Sequence, residues 1–196
     1  GVSWSDGVNI LSEEGKYHTA PVPVVFHNGK IYRAYESAAS GTTASNYAAF
    51  VICADEQSDL MNPSSWQKSN EVSFDSAYIS DWKYSTAGWL EGNVVIGPNG
   101  EIYNILRTSI APIADKAALL RLEPETMTLA FDTKNPIINM PGGSHKFSIK
   151  FDEACGKYIS IVNNNTDKEY YNQRNVLSLV YSDDLLHWSV ATTLLY

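Results

Sequence analysis

The sequence predicts an all-β fold. Short runs rich in Val, Ile, Tyr and Phe alternate with turn signals such as Asn-Gly and Pro-Asn-Gly, the pattern of strands joined by tight turns. No stretch has the 3.6-residue apolar periodicity of a convincing amphipathic helix. The 196 residues are 44% hydrophobic and 12% aromatic, which suits one globular domain with a substantial core.

Three hairpins share one pattern, in which an apolar strand, a Gly-containing turn and an aromatic-rich strand follow one another. They are VPVVFHNGKIYRAYES from Val22, NVVIGPNGEIYNILRT from Asn93 and KFSIKFDEACGKYISIVN from Lys146. A second pair of candidate strands follows each hairpin, so that four strands recur roughly every 60 residues. Four-stranded meanders that recur in this way are typical of β-propeller blades.

The predicted blades cover residues 18–70, 89–132 and 144–196, and residues 1–17 are expected to form part of a further blade. Closed propellers have about four to eight blades, so about three four-stranded blades make an incomplete ring. Residues 1–196 are therefore a single β-propeller domain or a fragment of one. The remaining blades would come from the same or another chain, and an open β-sandwich is the alternative fold.

Charge and hydropathy limit the classes of partner that the chain is expected to bind. Twenty-two acidic residues against fourteen basic ones give a net charge of −8, and the basic residues are scattered singly. A phosphate backbone would be repelled, so no nucleic acid is expected. No apolar stretch approaches the roughly 20 residues of a membrane helix. The initial Gly is compatible with removal of a leader, which leaves an extracytoplasmic (periplasmic or secreted) location as the expectation.

Two segments resemble a turn of known propeller enzymes. YSDDLLHW (Tyr181 to Trp188) resembles the Ser-x-Asp-Leu-x-x-Trp turn of five-bladed propeller glycosidases such as the arabinanase, xylosidase and invertase-like families, and SDLMNPSSW (Ser58 to Trp66) resembles the same turn with an insertion. In such a turn the Asp accepts hydrogen bonds from the turn backbone and the Trp packs beneath the outer strands. The turn is also similar to the sialidase Asp-box, although Leu186 stands where that motif has Gly.

A further resemblance surrounds Glu91. WLEGNVVIGPNGEIYNIL is similar to the Glu-Gly-Pro segment that carries the general acid in arabinanase-like enzymes, with Asn93 in place of the proline. The resemblance implies that Glu91 is a general acid. The base of that family is an Asp before a Pro in the first blade, but here Ala20 precedes Pro21. The chain as a whole resembles bacterial sialidase-like proteins, with the segments YHTAPVPVV, GWLEGN, PGGSHKF and RNVLSLVYS in that order.

Three candidate site residues occupy equivalent places in successive blades. His18, Glu91 and Lys146 each stand at the start of a predicted inner strand. Inner strands line the channel of a propeller, so these side chains should converge there as an imidazole, an acid and a cation. We predict Glu91 and His18 as catalytic residues, with His18 as a candidate base or a structural hydrogen-bonding residue, and Lys146 as a substrate-binding residue.

A second carboxylate is harder to assign. Glycoside hydrolysis usually needs two carboxylates, about 5–5.5 Å apart for retention or about 6.5–9.5 Å apart for inversion. Glu36 and either Asp152 or Glu153 are candidates, but their positions in the hairpins suggest the far end of the blades or the outer strands.

Other polar and aromatic residues are candidates for substrate binding. Arg33, Arg107 and Arg174 invite comparison with the arginine triad of sialidases, because a guanidinium pairs bidentately with a carboxylate; salt bridges between blades are the alternative. Asn93 is a candidate for binding sugar hydroxyls. Trp89, beside Glu91, is the best placed aromatic residue for stacking on a sugar.

The sequence therefore predicts a hydrolase of the glycosidase class that binds a carbohydrate ligand, without a metal site or another cofactor. Two alternatives remain open because Ala20 replaces the expected Asp. They are a non-catalytic carbohydrate-binding propeller and a protein-interaction propeller.

Overall fold

The strands form three successive antiparallel sheets. The computed structural model describes residues 1–11 and 15–196. Besides strands, these residues contain three short 3-10 helices, at Ala44–Asn46, Pro63–Ser65 and Ser76–Ile79. The predicted all-β class is confirmed.

The first sheet is an antiparallel meander that is four strands wide. Its strands are β1 (Tyr17–His18), β2 (Val25–His27), β3 (Lys30–Ser37), β4 (Ala48–Asp55), β5 (Trp66–Lys68) and β6 (Val72–Ser73). Both β1 and β2 pair with β3, and both β5 and β6 pair with β4. The first and last positions of the meander are therefore each built from two short strands.

The second and third sheets repeat this arrangement. The second contains β7 (Trp89–Ile96), β8 (Ile102–Thr108), β9 (Lys116–Glu123), β10 (Thr128–Phe131) and β11 (Ile137–Asn139). The third contains β12 (Ile149–Asp152), β13 (Lys157–Asn163), β14 (Leu177–Ser182) and β15 (Trp188–Leu195). The strands pair in sequence order, and β10 and β11 share β9 as their partner.

The start of the chain differs from the prediction. Tyr17 pairs with Ser37 and so belongs to the first sheet. Residues 1–11 contain no strand. The strand signal at Tyr17 is thus used to extend the first sheet, and for residues 1–11 the expectation of a further blade stays a prediction.

The second sheet is buried on both faces. On β8, Leu106 packs into a cluster that includes Val51 of the first sheet, whereas the neighbouring Ile105 packs into a cluster that includes Val162 of the third sheet. Successive side chains of a strand point to opposite faces, so this alternation holds one sheet between two others. Burying an aliphatic side chain of this size contributes about 1.5–3 kcal/mol.

The Ser-x-Asp-Leu-x-x-Trp turn has the hydrogen bonds that its sequence predicts. Oδ1 of Asp184 accepts the backbone N–H groups of Leu186 and His187 at 2.9 and 2.8 Å. The indole of Trp188 donates to the carbonyl oxygen of Leu185 at 2.9 Å. The turn is therefore fixed by contacts within its own segment.

The corresponding turn of the first sheet closes in the same way despite its insertion. Oδ1 of Asp59 accepts the N–H of Met61 at 3.0 Å. The indole of Trp66 donates to the carbonyl oxygen of Leu60, also at 3.0 Å. The shared bond from indole to Leu carbonyl marks the two turns as equivalent places in the first and third sheets.

Candidate functional site

Glu91 lies at a β-bulge in β7. Glu91 and Gly92 together stand opposite the single residue Leu106 of β8. The φ angle of Glu91 is +57°, in the left-handed region, which costs an L-residue about 1–2 kcal/mol. A bulge bends its strand and re-aims a side chain, and here the re-aimed side chain is a carboxylate.

Gly92 is required by its surroundings. A Cβ atom at this position would lie 2.2 Å from Oδ1 of Asn104 and 2.8 Å from Cδ2 of Leu106. Neither neighbour leaves room for even a methyl group. The Glu-Gly pair of the sequence thus combines a charged residue with one that has no Cβ to displace these two buried side chains.

Two cations hold the carboxylate of Glu91, whose side chain is only 5% exposed. Nη1 of Arg107 lies 2.8 Å from Oε2, and Nζ of Lys146 lies 3.0 Å from Oε1. Arg107 is fixed in turn, since its Nε donates to the carbonyl oxygen of Ser144 at 2.8 Å. Burial opposes ionisation, but the hydrogen bonds and charges of Arg107 and Lys146 prevail and lower the pKa of Glu91.

His18 forms the second half of the site with Glu36. Nδ1 of His18 lies 2.8 Å from Oε2 of Glu36, which is 1% exposed. Oε1 of Glu36 accepts the N–H of Gly92 at 2.8 Å. The ring of His18 stacks on Tyr47, with 5.4 Å between centroids. The hydrogen bond to Glu36 raises the pKa of His18 against the effect of burial, and the nearby charge of Glu91 acts in the same direction.

The structure brings His18, Glu91 and Lys146 into one network, and it adds Glu36 and Arg107 to it. Sequence reasoning placed Glu36 at the far end of a blade, and this was wrong. In an antiparallel hairpin the end of the second strand lies beside the start of the first, and His18 pairs directly with Glu36. The same rule brings Arg107, at the end of β8, beside Leu90. Both residues were candidates from the sequence, and applying this rule would have placed them beside His18 and Glu91.

The other candidates for a second carboxylate lie elsewhere. Asp152 ends β12 and accepts the N–H of Ala154 at 3.1 Å in the exposed turn that follows. Glu153 is exposed in the same turn. Glu36 is therefore the carboxylate that accompanies Glu91.

The predicted stacking role of Trp89 is not supported. Trp89 is 1% exposed. Its ring packs against Phe74 and Phe131, with 4.4 and 5.5 Å between centroids. The ring belongs to the core between the first and second sheets, so it presents no face to a sugar.

The side chain of Asn93 is used in buried hydrogen bonds to the backbone, contrary to its predicted role in binding sugar hydroxyls. It is 1% exposed. Its amide donates to the carbonyl oxygen of Phe147 at 3.2 Å and accepts the N–H of Ile149 at 3.3 Å. These bonds tie the middle of β7 to the start of β12, which explains why a polar residue is buried there.

Arg33 supports the backbone ahead of β2. Its two terminal nitrogens donate to the carbonyl oxygens of Val22 and Ala20 at 2.8 and 3.0 Å. Arg107 is occupied by Glu91. This engagement argues against a carboxylate-binding triad of Arg33, Arg107 and Arg174.

Two cavities flank the charged network. One, of about 240 Å³, is lined by Glu91, Lys146 and the segment 20–22 that joins β1 and β2. The other, of about 220 Å³, is lined by Arg107 and His145.

Among the described residues, no group of three or more His, Cys, Asp or Glu side chains is placed to hold a metal ion. No helix in residues 1–11 and 15–196 is long and apolar enough to cross a membrane.

No protein-family model matches the sequence, and no curated protein matches it. Several solved structures with a similar fold are glycoside hydrolases. A β-fructofuranosidase from Schwanniomyces occidentalis, in complex with fructosyl-erythritol, aligns with 95% of the chain at 14% identity and a TM-score of 0.61. A family 117 glycoside hydrolase from the marine bacterium Zobellia galactanivorans aligns with 87% at 12% identity and 0.57. A family 43 β-1,3-galactosidase, solved with galactodeoxynojirimycin, aligns with 94% at 14% identity and 0.57.

These similarities establish the fold, since identity is too low to carry an activity. The predicted β-propeller is confirmed. The chain spans 35%, 44% and 62% of the lengths of the fructofuranosidase, the family 117 enzyme and the galactosidase. The structural similarities give no specific support to a sialidase-like character. The extracytoplasmic location stays a prediction.

Proposed function

We propose that the protein is a glycoside hydrolase whose acid and base are His18 and Glu91. The observation that supports this most is that His18 pairs with a carboxylate, whereas the neighbouring Glu91 pairs with two cations. Glu36 raises the pKa of His18, whereas Arg107 and Lys146 lower the pKa of Glu91 against the effect of burial. Neighbouring groups whose pKa values are pushed apart are the mark of an acid and a base in one site.

The direction of these shifts exchanges the roles that the sequence predicted. A general acid must hold a proton at the working pH, and the lowered pKa of Glu91 opposes this. His18 is the better proton donor. In the proposed reaction, His18 gives its proton to the glycosidic oxygen that leaves, and the carboxylate of Glu91 takes a proton from the attacking water.

The two cationic side chains that pair with Glu91 differ in their exposure to solvent. The side chain of Lys146 is 50% exposed, whereas that of Arg107 is 15% exposed and is held by Ser144. Lys146 is therefore the cation that moves to the oxygens of a bound glycan, which frees one oxygen of Glu91. Arg107 stays in place and orients the carboxylate.

A non-catalytic carbohydrate-binding propeller is the second candidate. It is favoured by the pairing of both Glu91 oxygens with cations, which lowers the basicity of the carboxylate. The presence of Ala20 where the resemblance predicts an Asp points the same way.

The release of reducing sugar from a glycan panel tests the proposal. The full-length protein would be assayed on fructans, galactans, arabinans, xylosides and sialosides. Both Glu91→Gln and His18→Gln should lower the release by about 100-fold or more. Glu56→Gln and His27→Gln are matched controls outside the network, and they should leave the release unchanged. Glycan binding without release by the parent protein would favour the binding propeller.

A further inference from the structure

A third cavity, of about 610 Å³, lies among the loops that follow β6, β8 and β13. It is lined by Trp82, Lys83, Ile113, Lys116 and Lys168, and we call it the Trp82 groove. The indole of Trp82 is partly exposed there. A flat indole face next to ammonium groups suits a sugar ring that carries negatively charged substituents.

The Trp82 groove adjoins a cavity beside the proposed active site. Arg107 lies between the two, because it pairs with Glu91 and also lines the cavity that contains His145. Ile113 lines both that cavity and the Trp82 groove. A glycan chain with one sugar unit at Glu91 would extend past Arg107 and Ile113 to reach Trp82.

The charge along this path is opposite in sign to that of the protein. The three cavities are lined by five cationic side chains, Lys83, Arg107, Lys116, Lys146 and Lys168, and by two acidic ones, Glu91 and Asp115. The whole chain has a net charge of −8. Such a local excess of cations attracts an anionic ligand that the rest of the surface repels.

Two of these lysines have ammonium groups to offer to a ligand. Lys116 is engaged, since its Nζ lies 2.7 Å from Oδ1 of Asn139 and 3.3 Å from Oδ2 of Asp115. Lys83 and Lys168 are exposed. In the part of the chain that the structure describes, neither makes an ion pair or a side-chain hydrogen bond.

We propose that the substrate of this site is an anionic glycan, with sulfate or carboxylate groups on the sugar units that lie in the Trp82 groove. The inference rests on the proposed function for the position of the cleaved bond. Lys83 and Lys168 bind the anionic groups, and Trp82 supports the ring of a sugar unit. Neutral glycans lack these charge contacts and bind more weakly.

Binding measurements at two ionic strengths test the inference. The full-length protein would be titrated with a sulfated glycan, a uronic-acid glycan and a neutral glycan of similar length. The double variant Lys83→Gln/Lys168→Gln should bind the preferred anionic glycan about tenfold more weakly at low salt, because each exposed charge pair contributes modestly. At about 1 M salt, where the screening length is about 3 Å, the double variant and the parent should converge.

The charge-matched control is Lys134→Gln/Lys150→Gln, which removes two exposed lysines elsewhere. This variant should bind like the parent protein. Trp82→Leu keeps an apolar side chain against the core but removes the flat ring, so it should weaken binding at both salt concentrations. The sulfated and uronic-acid arms identify which anionic group is bound.

The outcomes separate this inference from the proposed function. Equal affinity for neutral and anionic glycans, or equal effects of the two double variants, would overturn the anionic substrate even if hydrolysis depends on Glu91. Salt-sensitive binding of an anionic glycan that Lys83→Gln/Lys168→Gln weakens, without any hydrolysis, would uphold the groove and overturn the enzymatic proposal.

Discussion

Nδ1 of His18 lies 2.8 Å from Oε2 of Glu36, a carboxylate that is 1% exposed. The other oxygen of Glu36 accepts the backbone N–H of Gly92, beside Glu91. One buried carboxylate of the first sheet thus sets the protonation of a histidine and also holds the bulge of the second sheet. The acid and base proposed for this site are positioned by the same residue.

Replacing Glu36 with Gln should lower the pKa of His18, because a neutral amide does not stabilise the imidazolium. An NMR titration of the His18 ring would measure the shift, and the signals of His27 should be the same in both proteins. If His18 is the general acid, the basic limb of the kcat/KM profile should move to lower pH by the same amount. An unmoved basic limb would exclude His18 as that acid.

The same pair has a consequence for stability. A raised folded-state pKa stabilises the fold below the unfolded value of about 6.5, and the contribution is lost as pH rises through the folded-state pKa. The contribution of His18 to the free energy of unfolding should therefore decrease across neutral pH in the parent protein. Urea denaturation at several pH values should show that the free energy of unfolding depends less on pH in Glu36→Gln than in the parent protein.

The two cations on Glu91 should differ in their effect on stability. Arg107→Gln leaves a buried carboxylate without its less exposed partner and should lower the free energy of unfolding by about 3 kcal/mol. Lys146→Gln removes a half-exposed ammonium group and should cost less than about 1 kcal/mol. Chemical denaturation at pH 7 would measure both. Equal losses would mean that burial does not separate these two ion pairs.

The cost of Arg107→Gln should also depend on pH. A lowered folded-state pKa of Glu91 stabilises the fold above the unfolded value of about 4.3, and this contribution is lost as pH falls through the folded-state pKa. The difference between the parent and Arg107→Gln should thus be largest above about pH 5. If the difference were the same at low pH, the loss would come from packing of the arginine side chain.

Gly92→Ala should disrupt the bulge, because the added Cβ would lie 2.2 Å from Oδ1 of Asn104. Such overpacking typically costs about 1–3 kcal/mol. Gly7→Ala is the control, since no atom lies within 4 Å of a Cβ at that position. Adding Asn104→Ala to Gly92→Ala should restore part of the lost stability. Thermal denaturation of the parent, the two single variants and the double variant would measure the coupling energy between the two positions.

Asp184→Ala should destabilise the turn that precedes β15. Burial opposes ionisation, but hydrogen bonds from the His187 ring and from backbone N–H groups lower the pKa of Asp184 to about 2. This contribution is present above the ordinary value of 3.8 and is lost as pH falls towards the folded-state value. Because the carboxylate is 41% exposed, we expect a loss of only about 1 kcal/mol at pH 7.

Asp183→Ala is the matched control for this turn. The side chain of Asp183 is 71% exposed and pairs with Lys157 at the surface, so its removal should cost less than about 0.5 kcal/mol. Denaturation curves at pH 7 and near pH 3 would compare the two variants. A larger loss in Asp183→Ala would contradict the hydrogen-bond account of the turn.

The order of the strands, the three meanders and the two Trp turns were predictable from the sequence alone. These features depend on interactions between neighbouring residues, such as the alternation of side chains along a strand and the hydrogen bonds of Asp184 to its own turn. The convergence of His18, Glu91 and Lys146 also followed, because equivalent positions of repeated hairpins meet at the same end of the sheets.

Only the tertiary structure decided what each of these residues can do. Glu36 and Arg107 lie far along the chain from His18 and Glu91 respectively, and pairing of strands brings them into contact. Trp89, next to Glu91 in the motif, points into the core instead. A pKa is the sum of burial and of charges from separate strands, so the sequence alone predicted an acid at Glu91 but not its ionised state.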